Sequence, residues 1–161
     1  MLESIVGTEK ARIVGAGFGV TAWTPEHDSD VFHPRAGNLL ALAKVNATNK
    51  WFHANERVDV PLVAGFDDVS VALTADAWSR TGRSQAHGVT HAAEVRSRAG
   101  LVWLPENTPA ADSKHRIDAT QPPAGVPLFD GILETIAARY GLSTAKGVAI
   151  DFEYPWAAAV R

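Results

Sequence analysis

Two imidazoles, His87 and His91, stand four residues apart, and Glu94 follows three further on. Of the side chains in this sequence, these are the best spaced to chelate a metal. On a helix the two rings would share a face, and a neutral imidazole is a good zinc ligand. The hydrolytic form of this pattern places a glutamate directly after the first histidine as general base. Here that residue is Gly88. The base is missing, and on a strand the Glu94 geometry fails as well, so the expectation is histidines without a metal. Asp151 and Glu153 would project from one face of a strand, where two close carboxylates can divide into acid and base. On a half-exposed strand such a pair is ordinarily a solvated face.

Other chemistry is missing an essential part. The run Gly15-Ala-Gly17-Phe-Gly19 follows an apolar stretch, yet a dinucleotide fingerprint requires a further glycine where Val20 stands, and a helix after it. Gly125 and Gly131 lack the lysine and hydroxyl of a phosphate-cradling loop. No serine sits in a nucleophile elbow. The absence of cysteine removes disulfides, thiolate catalysis and cysteine–zinc sites together. No catalytic residue, metal or cofactor is nominated, and the expectation is a protein that is not an enzyme.

The elements that must position these side chains read most clearly near the C-terminus. Leu128, Phe129, Ile132, Leu133, Ile136, Ala137 and Tyr140 recur at helical spacing between Pro127 and Gly141. Proline suits a first helical position and glycine the residue after the last turn. Beyond it, Val148, Ile150, Phe152 and Tyr154 alternate as a strand stopped by Pro155. Ala145, Ala149 and Phe152 also fit helical spacing.

Ala11–Trp23 reads as a strand, and Arg57–Ala64 as an edge strand interrupted by Pro61. Asn38–Trp51 is either a helix capped by Asn38 or one arm of a hairpin. Asp67–Trp78 alternates as a strand through Val69, Val71, Leu73 and Ala75, although Asp67 and Asp68 suit a helix cap. Gln85–Arg98 favours strand over helix because Gly88 and Val89-Thr90 lie within it. Leu101–Leu104 and Lys114–Thr120 are short strands. Strands followed by a helix predict an α+β domain with a mainly antiparallel sheet, and a C-terminal helix or two packed on the sheet or on a partner subunit.

At 161 residues the chain fits one domain spanning residues 1–161. Its 46% hydrophobic and 20% charged content is that of a globular protein, not a disordered one. No apolar run approaches a membrane span, and the first ten residues have no secretory pattern. Net charge is −3, with the positive excess confined to residues 80–120. That segment holds Arg80, Arg83, Arg96, Arg98, Lys114 and Arg116. A solvated face is the ordinary meaning of such a cluster.

Trp78 followed by Arg83-Ser84-Gln85-Ala86-His87-Gly88-Val89-Thr90 resembles a strand in the coat proteins of single-stranded RNA bacteriophages. The C-terminal layout is similar too: a hairpin over Leu101–Thr120, a Pro/Ala/Gly step, a helix, then a short piece with aromatics. The resemblance covers residues 78–156. It implies a sheet facing RNA, C-terminal helices clasping a partner across a homodimer, and a place in the virion. On it, Arg96, Arg98, Lys114 and Arg116 belong to strands that face single-stranded RNA. The apolar helix face places Ile132, Ile136 and Tyr140 at a subunit interface. The leading expectation is therefore a self-assembling coat subunit without enzymatic activity or membrane association. The alternative is a cytoplasmic small-molecule-binding or enzymatic α+β domain with a pocket between helix 127–141 and the sheet.

Overall fold

A computed structural model of the chain describes residues 2–17, 36–104 and 128–156. The chain divides into two compact units, Met1–His33 and Pro34–Arg161. In the first, α1 (Leu2–Val6) and α2 (Thr8–Gly17) meet at Gly7, whose φ of +83° suits a residue without Cβ. The Thr8 hydroxyl donates to Glu3 Oε1 at 2.6 Å. The expected strand from Ala11 is helical as far as Gly17, and the rest of it lies outside the described residues.

The second unit is built around a β–α–β crossover. Strands β1 (Glu56–Pro61) and β2 (Ser84–Val89) pair in parallel, joined by helix α4 (Asp68–Arg80). Parallel neighbours require such a crossover. Among the described residues this sheet has two strands, and a separate antiparallel pair, β3 (Val95–Arg96) and β4 (Val102–Trp103), turns at Gly100. Helix α3 (Ala36–Phe52) precedes the crossover, and α5 (Leu128–Tyr140) and α6 (Leu142–Asp151) follow it. The domain is thus a helix-rich α+β fold, not the mainly antiparallel sheet expected from the alternating segments.

The corrections have local causes. Asp67–Trp78 is helix because Val71, Thr74, Ala77 and Trp78 are the buried positions, a helical stripe, while Val69 stays exposed. Asp67 caps this helix: its Oδ1 accepts from the Ser70 N–H at 2.8 Å and the Ser70 hydroxyl at 2.9 Å. Its carboxyl is held below its ordinary range chiefly by that N–H bond, with Arg98 adding to it.

Val148–Tyr154 is not a strand. Thr144, Ala145, Val148 and Ala149 are buried along α6, the spacing that Ala145, Ala149 and Phe152 already allowed. Gly141, with φ +89°, ends α5 and starts α6. Asn38–Trp51 takes its helical alternative.

The larger core joins Val58, Ala77 and Trp78 to Leu133, Ile136 and Tyr140 of α5 and to Ala145 and Val148 of α6. Trp78 and Tyr140 meet edge to face, with centroids 5.5 Å apart. A smaller core holds Val60, Leu62, Phe66, Val71 and Val95. Among the described residues no helix is long and apolar enough to cross a membrane.

Candidate functional site

A cavity lies between α3 and α6. Along α3, Leu42, Val45 and Asn49 recur at three- and four-residue spacing, and His53 continues the stripe just past the helix. Only Asn49 on this stripe is fully buried, at 4% exposure. Its Nδ2 donates to the Thr81 carbonyl at 2.8 Å and to Thr144 Oγ1 at 3.2 Å. One side chain therefore ties α3 both to the α4–β2 turn and to α6. The Thr144 hydroxyl in turn lies 3.2 Å from the Tyr140 carbonyl.

Gly147 sets how closely the helices approach. A Cβ there would lie 3.3 Å from Val45 Cγ1 and 4.0 Å from Leu42 Cδ2. Asn49 opposite Thr144, with Val45 and Leu42 opposite Gly147, means that the two helices run antiparallel. The C-terminal end of α3 therefore meets the start of α6.

Gly82 fixes the third wall. Its φ is +68°, and a Cβ would sit 3.5 Å from Asn49 Cβ and 3.6 Å from Lys50 Cγ. The next residue, Arg83, is thereby brought to the same end of the cleft as His53. The Arg83 guanidinium lies 4.5 Å from the centroid of the Tyr140 ring. The Tyr140 hydroxyl donates to Glu56 Oε2 at 2.8 Å, and Arg139 Nη2 donates to the same oxygen at 2.8 Å. Burial, then the bond to Glu56, pushes the Tyr140 hydroxyl above its ordinary pKa, so the ring is neutral under the guanidinium.

The cavity encloses about 460 Å³, a size suited to a small organic molecule. Leu42, Val45 and Ile150 give it an apolar side, and Thr48, Ser143, Thr144 and Tyr140 supply hydroxyls. Its cationic side chains are Lys44, Arg83 and Lys146, His53 adds an imidazole, and no carboxylate is among its lining residues. Arg83 Nε is buried and has no hydrogen-bond partner among the described residues. A buried N–H without an acceptor is costly.

The side chains singled out by sequence are not assembled into this site, apart from Tyr140. Arg96 is exposed on β3, and its Nη1 donates to the Gly100 carbonyl at 3.1 Å. Arg98 is exposed and paired with Asp67. Lys114 and Arg116 lie outside the described residues. Ile132, Ile136 and Tyr140, expected at a subunit interface, are 7%, 0% and 7% exposed and packed in this chain's own core. In this chain the helix face packs against α4 and α6.

His87 is half-buried on β2, while His91 and Glu94 are exposed beyond its end. Among the described residues no group of three potential metal ligands forms. Asp151, now at the end of α6, lies 3.6 Å from Arg80 Nη1, and Glu153 follows the helix at φ +48°. Arg83–Thr90, which resembles a coat-protein strand, forms β2 and its flanks, but pairs in parallel with β1. The α3–α6 cleft is not the pocket expected between helix 127–141 and the sheet; Tyr140 is its one lining residue from α5.

Lys44, His53 and Lys146 were not singled out, and Arg83 was read only as part of a charge cluster and a strand motif, because their grouping depends on three elements meeting. The stripe of 42, 45, 49 and 53 was the available signal. Comparison with protein-family models, with curated proteins and with solved structures yields no match.

Proposed function

We propose that this chain is a small-molecule-binding domain and that its ligand sits in the α3–α6 cleft. The observation that carries the reading is the lining: an apolar side of Leu42, Val45 and Ile150 facing convergent hydroxyl, amide and cationic groups in one cavity. Apolar area supplies affinity in such sites, and a few fixed polar groups orient the ligand. Asn49, Gly147 and Gly82 hold the three walls in contact before any ligand arrives, which lowers the ordering cost of binding.

A thermal-shift screen of a metabolite library against wild type and Thr48→Trp tests this. Thr48 is exposed and lines the cleft, so the indole fills the cavity without entering the core. A ligand at a hundred times its Kd adds about 2.7 kcal/mol of stability. The expected result is at least one compound that raises the melting temperature of wild type and not of the variant. Compounds that stabilise both equally, or no stabilising compound at all, would contradict the reading.

Self-assembly is a second reading, favoured by apolar side chains left in solvent. Trp51 and Phe52 are 80% and 77% exposed at the end of α3, and Leu40 is 71% exposed. This surface is separate from the α5 face around Ile136. Sedimentation distinguishes the two: a plain monomer at micromolar concentration excludes assembly. Absence of co-purifying nucleic acid at low salt excludes the RNA-facing form of it.

A further inference from the structure

We infer that the cleft ligand is an amphiphilic oxyanion, with its phosphate or carboxylate group held at the Arg83 end and its apolar part lying toward Ile150. The inference rests on the binding reading above and adds the ligand's chemical class and its direction in the site.

Direction follows from the antiparallel packing of the two helices. Asn49 meets Thr144 at one level, and Val45 with Leu42 meets Gly147 at the next. Arg83, anchored beside Asn49 through Gly82, and His53, which follows α3, therefore share the end where α6 begins and Ser143 presents its hydroxyl. Leu42, Val45 and Ile150 share the other. From Thr144 to Ile150 the helix rises about 9 Å, the length of a short alkyl or aryl-alkyl chain. Lys44 and Lys146 add positive charge along the rim.

Chemical class follows from the guanidinium. The Arg83 guanidinium carbon lies over the ring of Tyr140, 4.5 Å from its centroid. Arg83 lines the cavity, and no carboxylate is among the lining residues to pair with its guanidinium. A planar N–H donor of this kind matches an oxygen of a carboxylate or phosphate, and such charge-assisted bonds are the stronger ones. A neutral ligand forgoes the charge-assisted part of such a bond.

Calorimetric titration of the full chain with phenylbutyl phosphate, phenylbutanoate and phenylbutanol separates the parts. The three share one apolar group and differ in the head. At least one anion should bind wild type about tenfold or more tightly than the alcohol, as expected for a single charge-assisted bond. The head that gains more identifies the source, phosphate or carboxylate. Arg83→Met, which keeps a long side chain against Tyr140, should bring the anions to the level of the alcohol and leave the alcohol unchanged. Arg83→Lys, a second variant that keeps the charge but loses the planar fork, should retain part of the preference.

Equal binding of all three compounds overturns the oxyanion inference while leaving the cleft reading intact. An anion preference that survives in a folded Arg83→Met protein does the same. No binding of either anion at millimolar concentration also overturns it, and the library screen with Thr48→Trp then decides the coarser reading separately.

Discussion

Asn49→Ala should loosen α3 from the rest of the domain. The side chain is 4% exposed and makes two hydrogen bonds, to the Thr81 carbonyl at 2.8 Å and to Thr144 Oγ1 at 3.2 Å. Each is worth about 1 kcal/mol net, and an acceptor left buried without its donor adds to the loss. The expected cost is therefore about 2 kcal/mol. In a domain of this size that corresponds to a melting temperature lower by roughly 5–10 °C. The location of the loss matters as much as its size. Leu42 and Val45 are only half-buried, and Leu39, Leu40, Trp51 and Phe52 are exposed, so α3 has little apolar burial of its own to hold it. Amide hydrogen exchange should show α3 losing protection in the variant while β1, α4 and β2 keep theirs. A variant within about 0.5 kcal/mol of wild type, the range of ordinary surface substitutions, with α3 protection unchanged, would refute the reasoning.

Gly147→Leu should push α3 away from α6, because even a Cβ would lie 3.3 Å from Val45 Cγ1; a cost of about 2 kcal/mol is expected, and a gain in stability on urea unfolding would count against the close approach. Neither tyrosine should ionise at its ordinary pKa of 10.0, since burial first and then Asp130 push Tyr154 up to about 12, and Tyr140 is raised as well. A group raised on folding stabilises below its unfolded pKa, so stability should fall as pH climbs from 10 toward 12; phenolate absorbance titrating fully at pH 10 in folded protein would exclude this. Asp67→Ala should cost about 1 kcal/mol at neutral pH by removing the cap of α4. Because folding lowers the Asp67 pKa from 3.8, that contribution is present above pH 3.8 and fades as pH falls further. A cost independent of pH down to 2 would be the contrary result.

How much of this was legible depended on whether local pattern and tertiary contact agreed. Helix α5 was readable because its apolar positions, from Phe129 to Tyr140, face one core and nothing competes with the 3.6 period. Asp67–Trp78 misled because Val69, Val71, Leu73 and Ala75 also alternate; the decisive signal was the cap at Asp67, which outweighs the β-propensity of valine. In α6 a strand-like run of Val148, Ile150 and Phe152 gave way to the helical set that packs on α3 and α5. The cleft itself was hardly legible. Its walls come from positions around 42–53, 83 and 140–150, and no local motif links an asparagine on one helix to the turn after another. The arginines read as a nucleic-acid face show a related limit: charge along a sequence does not say that Arg98 has Asp67 as its partner.

The most direct test of the central claim is a nitrogen–proton correlation spectrum of the wild-type chain titrated with phenylbutyl phosphate. The amides that move should cluster on Thr48, Asn49, Arg83, Ser143 and Gly147, with the Asn49 side-chain amide among them, because these groups share the α3–α6 cleft. The same titration of Thr48→Trp should leave them still. Shifts confined to Val69, Ala72, Leu73 and Trp103, which line a separate open groove on α4, or a spectrum unchanged at millimolar ligand, would contradict the claim.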